Sequence, residues 1–158
     1  TRTSWVLKRD IIWMPIFGWV IGLLFRPIAI RRSARSTAVR QVIAQGKEKL
    51  RKGIWVTIFP EGTRMPPGET RRYGVSGAAL AHEACVPIVP VAHNAGDVWP
   101  RLSFVKQPGT VRFVIGPPIS AQGREPRETN IVVQDWIENK MREISSAYGA
   151  PAAGGRDS

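Results

Sequence analysis

Four successive residues, Glu61-Gly62-Thr63-Arg64, put a carboxylate, a glycine, a hydroxyl and a guanidinium into one short stretch directly after Phe59-Pro60. Arg64 can grip a phosphate with two parallel charge-assisted hydrogen bonds. Gly62 lets the backbone come close to a ligand. Thr63 can donate from its hydroxyl, and Glu61 can accept from a substrate hydroxyl or hold Arg64 in position. The same residue types also suit a plain turn with a solvated Glu–Arg pair, and on residue types alone both readings stand.

Little else in the chain offers chemistry. One cysteine, Cys85, excludes a disulfide framework and a cysteine-cluster zinc site. It reads as a small buried apolar residue. Two histidines, His82 and His93, leave little for a histidine-based metal site, and no metal is expected. His82 falls in a small-residue helix and reads as packing or surface. His93 ends an apolar strand, where it suits a structural hydrogen bond or the rim of a pocket. Arg71 and Arg72 read as solvated loop charges or as ligands of phosphates and headgroups.

The elements that must position these residues alternate between strand and helix. Ser4–Lys8 and Pro27–Arg31 read as short strands, with a short apolar helix over Pro15–Leu24 between them. Ser36 or Thr37 can cap a helix whose apolar face is Val39, Val42, Ile43, Gly46 and Leu50, stopped at Gly53. Ile54–Phe59 is apolar and β-branched, as expected of a parallel-sheet strand buried on both faces. A Pro- and Gly-rich loop, Pro60 to Gly74, follows it, then a small-residue helix over Gly77–Cys85. Pro87–Ala92 and Thr110–Ile115 are further strands. The last helix, Asn130–Tyr148, carries Val133, Trp136, Ile137, Met141, Ile144 and Tyr148 on one face; Trp99 and Trp136 are expected in the core. Alternating strands and helices predict an α/β fold, a mostly parallel sheet flanked by helices. In such sheets ligands bind beyond the carboxyl ends of the strands, which is where the 60–74 loop sits.

Composition places the chain among ordinary globular proteins. Its 158 residues are 43% hydrophobic and 22% charged, the length of about one domain, which excludes a disordered tail, a collagen and a coiled coil. The domain is expected over residues 1–148, with Gly149–Ser158 a frayed Ala/Gly/Pro-rich tail. The formal net charge of +11 is unevenly placed: residues 1–72 hold 15 basic and 4 acidic side chains, whereas residues 73–158 hold 8 of each. The N-terminal half should therefore face an anionic partner: phosphate, membrane surface or nucleic acid. The longest uncharged run, Ile11–Phe25, is 15 residues, short of the roughly 20 a spanning helix needs. Its Trp13, Phe17, Trp19 and Phe25 suit a membrane interface or a buried core helix.

Phe59-Pro60-Glu61-Gly62-Thr63-Arg64 closely resembles the third motif block of the glycerolipid acyltransferases, the 1-acylglycerol-3-phosphate acyltransferase family. Other segments agree in order. Val86-Pro87-Ile88-Val89-Pro90-Val91 is similar to the fourth block. Pro27-Ile28-Ala29-Ile30-Arg31-Arg32 is similar to the second. Lys8 with Met14-Pro15-Ile16-Phe17-Gly18 resembles the lysine–proline–glycine stretch between the first and second. The resemblance covers about residues 4–120.

This resemblance implies a glycerol-3-phosphate acyltransferase-like fold. It also implies transfer of a fatty acyl group from acyl-CoA or acyl-carrier protein to the hydroxyl of a lysophosphatidate-like acceptor in phospholipid synthesis. By position, Arg64 and Glu61 would hold the glycerol phosphate and Gly62 and Thr63 would shape the loop. Arg32 would be a second phosphate ligand and Lys8 a third. No cofactor is implied beyond the acyl donor as co-substrate. The expected partners are the lysophospholipid acceptor, the acyl donor and a membrane surface, at its cytoplasmic face. Nucleic acid is not among them, since the basic residues form no helix-turn-helix, RRM or KH pattern. Two departures matter. The family's first block, His-x4-Asp, supplies the general base, and it is missing: five residues after His82 stands Pro87, and five after His93 stands Val98. Because the chain opens at Thr1 on what reads as a strand already under way, the expectation is an N-terminally truncated, inactive acyltransferase domain whose base lies before Thr1; the alternatives are an inactive membrane-binding domain and, ranked below it, a nucleic-acid-binding module that the net charge permits. The second departure is Arg31, where the family has Asp. The implied reaction is direct attack of the acceptor hydroxyl on the thioester, with no acyl-enzyme, consistent with Cys85 having no nucleophilic role.

Overall fold

The computed structural model describes residues 3–8, 28–30, 35–100 and 103–148. Arg31, Arg32, the run Ile11–Phe25, the helix expected over Pro15–Leu24 and the tail Gly149–Ser158 lie outside the described residues.

Three strands form a parallel sheet in the order β2-β1-β3, with β1 over Thr3–Lys8, β2 over Ile28–Ile30 and β3 over Trp55–Thr57. The central strand pairs Trp5 with Thr57 on one side and Lys8 with Ile30 on the other. Helix α1 (Arg35–Arg51) packs on β2 and β3, and α2 (Ser76–Glu83) packs on α1. The α1–α2 approach needs Gly46, where a Cβ would lie 2.5 Å from Leu80 Cδ2. The small residues of α2 serve the same end: a Cβ at Gly77 would already touch Ile58 at 3.6 Å. Parallel strands joined through helices, with Val42, Ala78, Leu80 and Ala81 buried between them, make this an α/β fold as expected.

Strands β4 (Val91–His93) and β5 (Phe113–Ile115) pair antiparallel, Ala92 opposite Val114. A four-residue helix, α3 (Ala95–Val98), leaves β4. The long helix α4 (Pro126–Ile144) packs on α2 and β4, and a 3-10 turn, Ser146–Tyr148, ends the described chain.

Several boundaries differ from expectation for physical reasons. Helix α4 starts four residues earlier than the apolar pattern suggests, because Pro126 suits the first helical position and Glu125 and Glu128 cap each other's backbone N–H groups. It stops at Ile144 because Ser145 turns extended and donates its hydroxyl to Asp97 at 2.8 Å. The run Ile54–Phe59 is paired only over Trp55–Thr57 and is not enclosed on both faces: Trp55 is 57% exposed and Phe59 is half-exposed. Trp99 is exposed rather than in the core. Trp136 is half-buried, its ring filling the space left by Gly116, where a Cβ would fall 2.5 Å from Cζ2. Cys85 is exposed, not buried, with φ at +53° in the left-handed turn that ends α2.

Candidate active-site loop

The parallel register brings three strand ends to one edge. Trp5 faces Thr57 and Lys8 faces Ile30, so the carboxyl ends of β1, β2 and β3 lie together and the 60–74 loop leaves from that edge. Lys8 is placed there by its backbone at the end of β1. Arg32 lies outside the described residues, so the meeting of Arg32 with Arg64 is not part of the observed geometry.

The loop turns sharply at Gly62. Its φ of +70° is the left-handed conformation that favours glycine, and its N–H donates to Phe59 O at 3.0 Å. Gly74 N–H donates to Pro60 O at 2.7 Å and closes the base of the loop. Arg64 is exposed, and among the described residues its guanidinium has neither an ion-pair nor a hydrogen-bond partner. Glu61 and Thr63 are half-buried beside it. No ion pair joins Glu61 to Arg64 among the described residues, so the plain solvated Glu–Arg turn is not what forms. Burial raises the Glu61 carboxyl above its ordinary pKa; the negative charge of Glu138 adds to this and Arg71 partly offsets it.

The far limb of the loop is held by α4. Asn130, Gln134 and Glu138 recur every four residues, a stripe along one side of the helix. Asn130 Nδ2 donates to Tyr73 O at 3.2 Å, Tyr73 N–H donates to Gln134 Oε1 at 3.1 Å, and Gln134 Nε2 donates to Arg71 O at 3.1 Å. The Tyr73 hydroxyl donates to Glu138 Oε1 at 3.0 Å, with Tyr73 4% and Glu138 8% exposed. Burial, then the charge and hydrogen bond of Glu138, push the Tyr73 phenol far above its ordinary range, so it stays a donor at any working pH. The crown of the loop is also fixed. Gly68, at φ +83°, lets the backbone pass Ala147 so closely that a Cβ would lie 2.7 Å from Ala147 O. Tyr148 Oη donates to Glu69 O at 3.2 Å, its own pKa pushed up to about 12 by burial and nearby carboxylates.

The remaining candidates fall elsewhere. His93 is exposed; its Nδ1 accepts from Ala95 N–H at 3.4 Å and its ring is 5.4 Å from Phe113, a structural role. Asp97 does not orient it, being taken by Ser145 Oγ at 2.8 Å and Ser146 N–H at 3.2 Å. His82 is half-buried and its carbonyl accepts from Gln122 Nε2. Arg71 and Arg72 are exposed, and Arg71 acts on Glu61 through its charge. Among the described residues no three His, Cys, Asp or Glu side chains gather as a metal would require. Sequence reasoning missed Asn130, Gln134, Glu138 and Tyr73. The four-residue spacing of these polar side chains beside an apolar stripe marks a shared face of the helix but not the partners it meets.

A guanidinium that is exposed and unpartnered among the described residues, with a hydroxyl beside it on a loop at the carboxyl edge of a parallel sheet, has the chemistry to meet an anion. The family model described as Acyltransferase matches residues 1–94. The 1-acyl-sn-glycerol-3-phosphate acyltransferase of Pseudomonas aeruginosa is 48% identical over 145 residues, covering 90% of this chain and 56% of that protein. The alpha form from Mus musculus is 27% identical over 157 residues, covering 96% of the chain and 53% of the relative. The crystal structure of the 1-acyl-sn-glycerophosphate (LPA) acyltransferase PlsC from Thermotoga maritima superposes with a TM-score of 0.70 at 22% identity. It covers 90% of this chain and 57% of that one, a likeness of fold. The chain thus spans just over half the length of these relatives.

Proposed function

The chain belongs to the acyltransferase family, and on that premise we propose that its 60–74 loop holds the phosphate of a lysophosphatidate acceptor during acyl transfer. The acyl group passes to the acceptor hydroxyl from acyl-CoA or acyl-carrier protein. A phosphate monoester carries close to two negative charges. Arg64 meets them with a two-pronged guanidinium, and Thr63 adds a hydroxyl donor. Glu61 is half-buried, its pKa raised by that burial, and accepts from a glycerol hydroxyl. By the resemblance, Lys8 and Arg32 would add charge toward the same phosphate, and the net +11 over residues 1–72 suits an anionic membrane surface. The protein works there, at the cytoplasmic face.

Removal of the acceptor's hydroxyl proton falls to a His-x4-Asp pair, and no such pair occurs in these 158 residues. The chain by itself therefore binds acceptor without turning it over. No covalent acyl-enzyme is needed, and Cys85, exposed at the end of α2, plays no part.

The observation that carries this reading is Arg64, exposed and unpartnered among the described residues on a loop whose opposite limb is fixed by α4. Titration of the chain with glycerol 3-phosphate tests it. Arg64→Ala should weaken binding by about 2 kcal/mol, roughly thirtyfold, and glycerol should not bind. Equal affinity in the variant, or equal affinity for glycerol, contradicts the reading.

A further inference from the structure

Two short segments reach the crown of the 60–74 loop. From α3, Gly96 sits against Pro67, where an added Cβ would be 3.5 Å from Pro67 Cγ. From the 3-10 turn, Ala147 O stands 2.7 Å from the place of a Cβ on Gly68, and Tyr148 Oη donates to Glu69 O at 3.2 Å. Three consecutive residues, Pro67, Gly68 and Glu69, are thereby held from outside the loop.

The two segments are tied to each other by Asn94 and Asp97. Asn94 is 7% exposed; its Nδ2 donates to Ile144 O at 3.1 Å and to Thr110 O at 3.3 Å, and its Oδ1 accepts from Arg112 N–H at 2.7 Å. It thus satisfies a carbonyl that the end of α4 leaves open. Asp97, half-buried, accepts from Ser145 Oγ at 2.8 Å through Oδ1 and from Ser146 N–H at 3.2 Å through Oδ2. Ser145 is the residue at which α4 stops and the backbone turns extended. By holding both groups, Asp97 sets the direction in which the chain leaves the helix, and so where Tyr148 arrives.

The crown is near Arg64 along a stiff path. Only Met65 and Pro66 separate Arg64 from Pro67. Each proline locks its φ at about −65°, and a residue that precedes proline, as Met65 and Pro66 both do, is confined to extended backbone. Glu69 N–H donates to Pro66 O at 3.2 Å and closes the turn around Gly68. Few torsions stay free between the held crown and Arg64, so a shift of the crown is carried to the guanidinium.

We propose that Asp97 is a positioning residue for the phosphate loop: by fixing the turn that carries Tyr148, it seats the crown on which the direction of Arg64 depends. It acts through Tyr148 and not on the ligand. The proposal rests on the reading of Arg64 as the phosphate ligand.

The test follows glycerol 3-phosphate affinity and the Arg64 Nε–H resonance of the chain. Asp97→Asn leaves one acceptor where two are used, and Tyr148→Phe removes the hydroxyl that reaches Glu69 O. Each should weaken binding roughly three- to tenfold and move the Arg64 signal in the ligand-free chain. Because the two act in one line, the double variant should bind no more weakly than the worse single variant. Val42→Ala, in the core under α1 at 1% exposure, should lower Tm with neither change. Should Asp97→Asn not fold, Ser145→Ala removes one of the two donors and takes its place. Unchanged affinities with an unmoved Arg64 signal overturn the proposal. Losses that add in the double variant, or that Val42→Ala reproduces, also overturn it. If instead Arg64→Ala binds as tightly as the parent chain, the phosphate reading fails. The ligand-free Arg64 signal then still decides the positioning: moved in both variants it upholds it, unmoved it overturns it.

Discussion

The two limbs of the 60–74 loop leave the same sheet edge and meet again at the Gly74–Pro60 hydrogen bond, yet they use their polar groups in opposite ways. From Arg71 to Tyr73 the backbone is tied to Gln134 and Asn130, and the Tyr73 hydroxyl is buried against Glu138. From Glu61 to Arg64 the chain turns on one glycine and presents a guanidinium with no partner among the described residues. A ligand site needs donors that folding has left unsatisfied, and those donors need a frame that does not move. The anchored limb and α4 supply the frame; the open limb supplies the donors.

Removing the anchor should have the largest effect on the fold. Glu138→Ala leaves a buried Tyr73 hydroxyl unpaired, which costs about 1–3 kcal/mol. A drop of roughly 2–4 °C in Tm per kcal/mol is expected for a domain of this size. Amide exchange should rise at both limbs. If only the 71–73 limb loosens, the anchored limb does not frame the open one. Gly62→Ala acts on the other side. It forces a side chain into a left-handed turn at about 1–2 kcal/mol, although no atom lies within 4 Å of the new Cβ. Here the expected loss is in glycerol 3-phosphate affinity, with the Tyr73–Glu138 contact unchanged in its NMR signature.

The smallest effect sharpens how the limbs speak to each other. Burial and the Glu138 charge raise the Glu61 pKa above 4.5 in the folded chain. The native state then binds this proton more tightly than the unfolded chain does. Glu61's favourable contribution is complete below about pH 4.5 and is lost as pH rises through its raised folded pKa. Glu138→Gln removes one of the two causes, so the Glu61 carboxyl midpoint, followed by 13C NMR, should move down. An unmoved midpoint would mean the two carboxylates do not sense one another.

The open limb was legible in the sequence because its chemistry is local: a carboxylate, a glycine, a hydroxyl and an arginine in consecutive positions need no distant partner to be noticed. The helix contacts of Gly46 and the small residues of α2 were equally readable from spacing. The anchored limb was not. Tyr73 and Arg71 meet their partners 57 to 65 residues further along the chain, and apolar periodicity marks which side of α4 is buried without saying which polar side chains that burial engages. Cys85 and Trp99 misled in the opposite direction. Residue type predicts burial on average, but a left-handed helix end exposes one, and the other stays exposed with its Nε1 donating to Ser103 O.

The most direct measurement is an amide and guanidinium NMR map of the chain titrated with glycerol 3-phosphate. Shifts should appear at Gly62, Thr63 and the Arg64 side chain while the Arg71 and Tyr73 amides stay nearly still. A map centred instead on the 330 Å³ pocket lined by Asn94, Asp97, Thr110 and Arg112, with Arg64 silent, would contradict the assignment of the phosphate to this loop.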